Sequence, residues 1–211
     1  MEENDDRPDQ PLPALDKGEF LAWRSPRTVS ENPTSLDNPL WHWLVRTGWS
    51  AYRANDAVGG PSAVAINPMW CFDRFGKSET ALPDGRVVYI GGEHEDYYDP
   101  DFFIYSDVIV VKSDGSVAIF GYPPSSFPPT DFHSATLVDN TIIIIGCLGH
   151  PEQRVAGSTP VFRLALDTMH ITALPSRGDV PGWIHEHSAA LSDDARSKLL
   201  RKGRYGTMPL A

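Results

Sequence analysis

The residues most capable of chemistry lie together in one short stretch, GGEHEDYYDPDFF, from Gly91 to Phe103. It contains five carboxylates, one histidine and two tyrosines: Glu93, Glu95, Asp96, Asp99, Asp101, His94, Tyr97 and Tyr98. Clustered carboxylate oxygens suit Ca²⁺ or Mg²⁺, and a basic partner would relieve their mutual repulsion equally well. No glycine lies inside the acidic run, so the spacing is not that of an EF-hand. The stretch leaves three interpretations open: a solvated loop, a partner-binding loop and a cation site.

A second cluster contains two histidines in PGWIHEHSAA. His185 and His187 alternate, so on a strand they would share one face, as a zinc site requires, with His133 or Glu186 as further ligands. The alternative is that His133 and His187 are polar residues at the starts of strands and make structural hydrogen bonds. We favour the structural role, and the sequence predicts neither a metal site nor a cofactor.

Nucleophilic catalysis is disfavoured by the order of the residues. Ser134 and Ser188 each follow a histidine directly, and adjacent residues on a strand point to opposite faces. The sequence also contains no G-x-S-x-G motif and no P-loop. No catalytic residue is predicted, and a non-enzymatic role is favoured over an enzyme.

The elements that must position these residues belong to a repeat. Three stretches align: KSETALPDGRVVYIGGE from Lys77, HSATLVDNTIIIIGCLG from His133 and HSAALSDDARSKLLRKG from His187. The entry serines Ser78, Ser134 and Ser188 recur with a period of about 54–56 residues. After each of the first two serines comes a turn signal, Asp84-Gly85 or Asp139-Asn140, and then an apolar strand.

A second hairpin follows in each of the first two units. The strand-like runs are GRVVYIGG (85–92), YSDVIVVKSDGSVAIFGY (105–122), NTIIIIGCLG (140–149) and TPVFRLALDTMHITALP (159–175). Asp114-Gly115 is a strong hairpin signal, and Asp167-Thr168 is a weaker one at the corresponding place. Two hairpins per period give four strands, the number in one propeller blade.

These features together resemble the kelch and galactose-oxidase-like β-propeller superfamily over residues 77–203. The resemblance is carried by the polar-Ser-x-Thr entry, the Asp-Gly turn, the apolar strand and the closing diglycine, Gly91-Gly92, of which Gly146-Cys147 keeps half. It implies a mainly β fold, a partial kelch-like β-propeller with four-stranded blades, and it places the acidic stretch on a rim where binding surfaces form. Neither cysteine aligns with the copper site of galactose oxidase, so that chemistry is not implied.

The third unit departs from the pattern after Asp194, where no good apolar strand follows. About two and a half repeats are visible, whereas closed propellers need at least about four blades. A fragment, an altered C-terminus and an open array closed by another element or subunit are all compatible with this. We favour a truncated or eroded propeller, in which self-association is possible and an N-terminal helix covers one blade face.

That helix is predicted within SLDNPLWHWLVRTGWSAYRANDAVGG. Asp37 or Asn38 can cap it and Pro39 suits its first turn. Four apolar residues then follow at helical spacing: Trp41, Val45, Trp49 and Tyr52. The pattern predicts one amphipathic helix over about 39–54 whose aromatic stripe belongs to the core, with a partner surface as the alternative.

Composition limits the remaining choices. The net charge of −10 disfavours nucleic acid as a partner. No apolar run is long enough to cross a membrane and no signal core is present, so we expect a cytoplasmic protein that does not contact membranes. The two cysteines are predicted to be buried reduced thiols, with a disulfide left open.

The predicted organisation has four parts: an acidic, partly disordered arm (1–36), a helix and connector (37–66), kelch-like blades (67–195) and a basic tail (196–211). The predicted function is a protein-interaction module with an unidentified protein partner. Its candidate binding residues are the eight named residues of the 93–101 stretch together with His185 and His187. The alternatives are a metal-dependent small-molecule binder or enzyme that uses the 93–101 loop, and a remnant of a longer propeller.

Overall fold

Two antiparallel sheets, one of five strands and one of four, form the centre of the protein in the computed structural model, which describes residues 15–62, 67–95, 97–176, 180–191 and 204–205. In chain order the helices are α1 (Lys17–Trp23), α2 (Pro39–Thr47) and α3 (Ala51–Ala57). The strands are β1 (Thr34–Ser35), β2 (Ser78–Ala81), β3 (Val87–Ile90), β4 (Glu93–His94), β5 (Phe103–Ile104), β6 (Asp107–Val111), β7 (Val117–Gly121), β8 (Ser134–Val138), β9 (Thr141–Ile145), β10 (Val161–Ala165), β11 (Ile171–Ala173), β12 (Ile184–His185) and β13 (Arg204–Tyr205).

The two sheets have the same strand order. The first runs β2-β3-β6-β7 and gains the short β1 at its outer edge, and the second runs β8-β9-β10-β11. Tight turns join the hairpins where the sequence predicts them: Gly115 has φ 79° between β6 and β7, and Asp139 has φ 51° between β8 and β9. The expectation of a mainly β chain built from antiparallel sheets is therefore confirmed.

The two faces of the first sheet pack against different layers, because side chains alternate along its strands. In β3, Val88 and Ile90 belong to a core shared with Ile142 and Ile144 of the second sheet. Tyr89, between them, packs with the helices instead. The first sheet therefore lies between the helical layer and the second sheet.

The second sheet is covered more completely on one face than on the other. Ile144 in β9 is fully buried against the first sheet, whereas its neighbour Ile143 is half-buried on the opposite face. Val161 and Ala165 on β10 are half-buried on that same face, and Arg163 between them is exposed. We call this the outer face of the second sheet.

The helix predicted over 39–54 is two helices, so the prediction of one continuous helix was wrong. Gly48 ends α2 in the left-handed region, with φ 66° and its N–H bonded to Leu44 O. Ser50 then caps α3. The interpretation of the aromatic stripe as core is confirmed, because Trp41 is 1% exposed and stacks on Trp70 at 4.7 Å.

Helix α1 was not predicted. It begins with a capping box in which Asp16 and Glu19 each accept from the other's backbone N–H, and it buries Phe20. It lies inside the range predicted as a partly disordered arm, of which residues 1–14 are outside the described residues. Of the predicted basic tail, the structure describes only β13, which pairs with β12.

Equivalent positions of the repeat make equivalent bonds between units. Phe132 N–H donates to Gly76 O and Glu186 N–H donates to Phe132 O, both at 2.8 Å. These three residues each precede an entry serine by two positions, and all have positive φ, at 61°, 47° and 48°. In the same way Gly92 N–H donates to Thr130 O and Cys147 N–H donates to Ile184 O. The alignment of the three units therefore corresponds to a recurring junction.

Cys71 and Cys147 are buried free thiols, as predicted, and burial raises the pKa of each to about 12. Among the residues that the structure describes, no helix combines the length and the apolar character needed to cross a membrane.

Candidate functional site

The acidic stretch forms a small hairpin rather than a plain loop. After β3 the chain passes Gly91-Gly92, and β4 then pairs with β5, with Glu93 opposite Ile104. Gly92 has φ 94°, and a Cβ there would lie 2.9 Å from Phe75 O. A glycine at this position therefore lets the chain enter the hairpin close to the preceding segment.

An open cavity of about 720 Å³ lies between this hairpin and residues 148–154, and we call it the aromatic groove. Four aromatic side chains line it and form what we call the aromatic rim: Phe75, Tyr97, Tyr98 and Phe102. Tyr97 packs edge-on against Tyr98 and Phe102, with centroids 5.5 and 5.4 Å apart. Tyr98 is 89% exposed and Phe75 is 65% exposed. Clustered exposed aromatic side chains are typical of surfaces that meet a ligand or a partner.

Charged side chains line the groove beside this rim. Glu93 and Glu95 lie on the hairpin side and Arg154 on the opposite side. The Arg154 guanidinium donates to Leu148 O at 2.9 Å and to Gly149 O at 3.1 Å, so it holds the shape of its own loop. The two carboxylates give the hairpin side an acidic character.

The structure distributes the predicted binding residues unevenly around the groove. Glu93, Glu95, Tyr97 and Tyr98 line it, whereas Asp96 lies outside the described residues. The other three predicted residues of the stretch, His94, Asp99 and Asp101, are not part of the lining.

Two of those three have contacts that fix the base of the hairpin. Asp101 is buried and accepts a 2.8 Å hydrogen bond from Tyr52 OH. The His94 ring stacks on Tyr52, and its Nε2 lies 2.8 Å from Glu95 Oε1. Helix α3 therefore contacts the base of the hairpin through Tyr52.

A buried carboxyl that the sequence analysis did not single out lies beside the groove. Asp131 is 0% exposed, its Oδ1 accepts from Gly149 N–H at 2.7 Å, and the Glu93 side chain acts on it as a hydrogen-bonding group. Burial raises the pKa of Asp131, while the Gly149 N–H and Glu93 act in the opposite direction. The equivalent positions in the other two units hold Phe75 and His185. A carboxylate at this position of the second unit alone is the sequence feature that could have identified Asp131.

The histidine cluster is separate from the groove. Glu186 has φ 48°, which interrupts the extended chain, so the prediction that His185 and His187 share a strand face was wrong. His187 Nε2 lies 2.9 Å from Ser134 Oγ, and His133 Nε2 lies 2.8 Å from Ser78 Oγ. Serine and histidine therefore do pair, but between successive units rather than within one.

These serine–histidine pairs do not resemble a catalytic triad. The Nδ1 atoms of His133 and His187 are buried and have no hydrogen-bond partner within the described ranges, so no carboxylate orients either ring. The same pair occurs at two successive junctions, which indicates a structural role. In the described part of the chain, no three histidine, cysteine or acidic side chains converge as metal ligands.

Comparison with known proteins adds no further constraint. No protein-family model matches the sequence, and no curated protein is significantly similar to it.

Proposed function

We propose that the protein is an interaction module that binds a basic segment of a partner protein in the aromatic groove. The observation that carries the proposal is the combination of an exposed aromatic rim with two carboxylates in one concave surface. Lysine and arginine side chains bind over aromatic faces, and a nearby carboxylate strengthens the attraction. The net charge of −10 adds long-range attraction for a basic partner.

We also propose that the two four-stranded sheets are kelch-like propeller blades. Their identical strand order and the recurring junctions between units support this interpretation. In such an arrangement the turn after the diglycine lies at a rim of the blade set, and the β4–β5 hairpin occupies that place. The proposal concerns the scaffold, and the binding function rests on the groove.

Fluorescence anisotropy with a labelled lysine-rich decapeptide tests the binding function, with the same peptide carrying glutamate for lysine as the reference. We expect the lysine peptide to bind preferentially. Tyr98→Ala and Glu95→Gln should each weaken binding roughly threefold to tenfold, because each removes one cation contact. Because the Tyr98 side chain is exposed, its truncation should leave the fold intact, and circular dichroism checks this.

Glu152→Gln provides the matched control. This side chain is exposed in the 3-10 turn Pro151–Gln153 beside the groove, and its substitution changes the net charge as Glu95→Gln does without altering the lining. Binding by Glu152→Gln should stay within twofold of the parent protein. Equal binding of both peptides, or an unchanged affinity in Tyr98→Ala, would overturn the proposal. Loss of binding on addition of a chelator would point to the metal-dependent alternative.

A further inference from the structure

Two carboxyl groups are held together at the hairpin side of the aromatic groove. The backbone bond from Gly92 N–H to Thr130 O, at 2.8 Å, joins the residues that precede Glu93 and Asp131. This bond places Glu93 and Asp131 next to each other on adjacent segments, and the Glu93 side chain acts on Asp131 as a hydrogen-bonding group. Glu93 lines the groove, and Asp131 lies behind it without solvent exposure.

One carboxylate oxygen of the Glu93–Asp131 pair lacks a hydrogen-bond donor among the described residues. Asp131 Oδ1 accepts from Gly149 N–H, but Oδ2 is buried and has no donor among the described residues. A buried acceptor without a donor is costly, and two ionised carboxylates in contact repel each other strongly. A proton between the two groups would remove both costs, because it makes one carboxyl a donor to the other.

The surrounding ionisable groups do not supply that donor. His150 and Arg154, on the other side of the groove, and the Cys147 thiol act on this region through space. The Arg154 guanidinium donates instead to the backbone carbonyls of Leu148 and Gly149 in its own loop. Within the part of the chain that the structure describes, neither His150, Arg154 nor Cys147 donates a hydrogen bond to Asp131 Oδ2.

We propose that Glu93 and Asp131 hold one proton between their carboxyl groups, and that a cationic side chain entering the groove displaces it. The inference rests on the proposed function for its ligand. On binding, the carboxyl O–H bond breaks, the proton passes to the buffer, and the cation pairs with the Glu93 carboxylate at the groove surface. Affinity for a basic peptide therefore rises with pH while the pair holds its proton.

The unfolding of the ligand-free protein tests the proton by itself. In Asp131→Asn, the amide oxygen can still accept from Gly149 N–H and the amide nitrogen can donate to Glu93, so the pair is satisfied without a proton. A carboxyl that holds its proton more tightly in the folded state loses stability as pH rises above the unfolded value of about 3.9. The melting temperature of the parent should therefore fall relative to that of Asp131→Asn as pH rises from about 4. Parallel curves would overturn the inference.

Calorimetry with the lysine-rich decapeptide tests the displacement. Binding is measured between pH 4.5 and pH 7 in pairs of buffers with different ionisation enthalpies, which gives the number of protons released. We expect proton release, greatest at the low end of this range and declining once the free pair loses its proton, for the parent and for the Glu152→Gln control, and none for Asp131→Asn. Binding without proton release from the parent would overturn the inference and leave the proposed function intact. Absence of peptide binding would overturn the proposed function, and the unfolding curves would still decide whether the carboxyls hold a proton.

Discussion

A histidine that must stay uncharged joins the first two repeat units. His133 is buried, and its Nε2 lies 2.8 Å from Ser78 Oγ. Its Nδ1 has no partner within the described ranges, so a second ring proton would lack an acceptor. Burial, together with the nearby His187, lowers the pKa of His133 to about 3. The neutral ring with its proton on Nε2 donates to Ser78 Oγ and leaves only the Nδ1 lone pair unpaired, whereas the imidazolium would bury a charge and an N–H without an acceptor.

This geometry predicts a specific loss of stability in mild acid. The unfolded chain takes up the histidine proton near pH 6.5 and the folded chain only near pH 3, so stability falls as pH decreases between these values. At pH 5 the contribution is about 2 kcal/mol relative to pH 7. Urea unfolding of His133→Gln, which keeps a donor for Ser78 and cannot titrate, should show a smaller fall by that amount.

Ser78→Ala separates the hydrogen bond from the titration. It removes the partner of His133 and leaves the buried imidazole in place, so stability should be lower at both pH values while the fall between them persists. If His133→Gln and the parent protein lose the same free energy of unfolding between pH 7 and pH 5, the assignment of a neutral buried His133 is incorrect.

At the scale of elements, a buried ion pair ties the start of β6 to the segment that precedes the first unit. Arg74 Nη1 lies 2.5 Å from Asp107 Oδ1, and Trp70 Nε1–H donates to Asp107 Oδ2 at 2.8 Å. The Arg74 guanidinium also donates to Gly91 O at 3.0 Å and lies over the Tyr105 ring. The Arg74 side chain thus contacts Trp70 in the segment before the first unit, Asp107 in the first sheet and Gly91 of the diglycine that precedes the hairpin.

Removing one charge of this pair should be far more costly than removing an exposed one. Asp107→Asn leaves Arg74 buried without its counter-ion, and we expect a loss of about 3–5 kcal/mol in the free energy of unfolding. Asp84→Asn is the matched control, because Asp84 pairs with Arg86 at 2.7 Å on an exposed turn and should change stability little. Similar losses in the two variants, measured by urea unfolding, would contradict this ranking.

The elements differ in how far the sequence could predict them. Strands such as β3 follow from alternation and from turn residues close in sequence, and the predicted hairpins of both sheets are present. Helix α1 has seven residues and buries only Phe20, too few for a periodic pattern, and the break at Gly48 interrupts a stripe that otherwise continues.

The candidate site was predictable only in its local part. The acidic and aromatic residues from 93 to 98 are neighbours in sequence, so their clustering was visible, and their role in binding stays a prediction. Arg74 and Asp107 are 33 residues apart and Asp131 lies still further from Glu93, so no local period relates these pairs. Such contacts form where segments distant in sequence pack together. The repeat predicts that packing, but it does not predict which side chains meet.

At the scale of the whole molecule, the two faces of the second sheet contribute differently to stability. Ile144 is fully buried between the sheets, and Ile143, adjacent to it, is half-buried on the outer face. Ile144→Ala should reduce the free energy of unfolding by about 2–5 kcal/mol, and Ile143→Ala by about 1 kcal/mol or less. Chemical denaturation of the two variants compares the same substitution on opposite faces of one strand.

The comparison also tests whether the outer face is covered in solution. A second chain or a further sheet packed there would bury Ile143 as deeply as Ile144. Equal losses in the two variants, together with a melting temperature that rises with protein concentration, would show that the face is an interface between chains.

The recurring junction between units has a consequence for how such a chain can change in length. Each unit meets the next through a backbone carbonyl, a serine–histidine pair and a positive-φ residue at equivalent positions. A duplicated unit inserted between two existing units could form the same junction with each of its neighbours. Gene duplication and deletion can therefore add or remove whole units with every junction preserved, whereas a cut inside a unit leaves strands without their pairing partners.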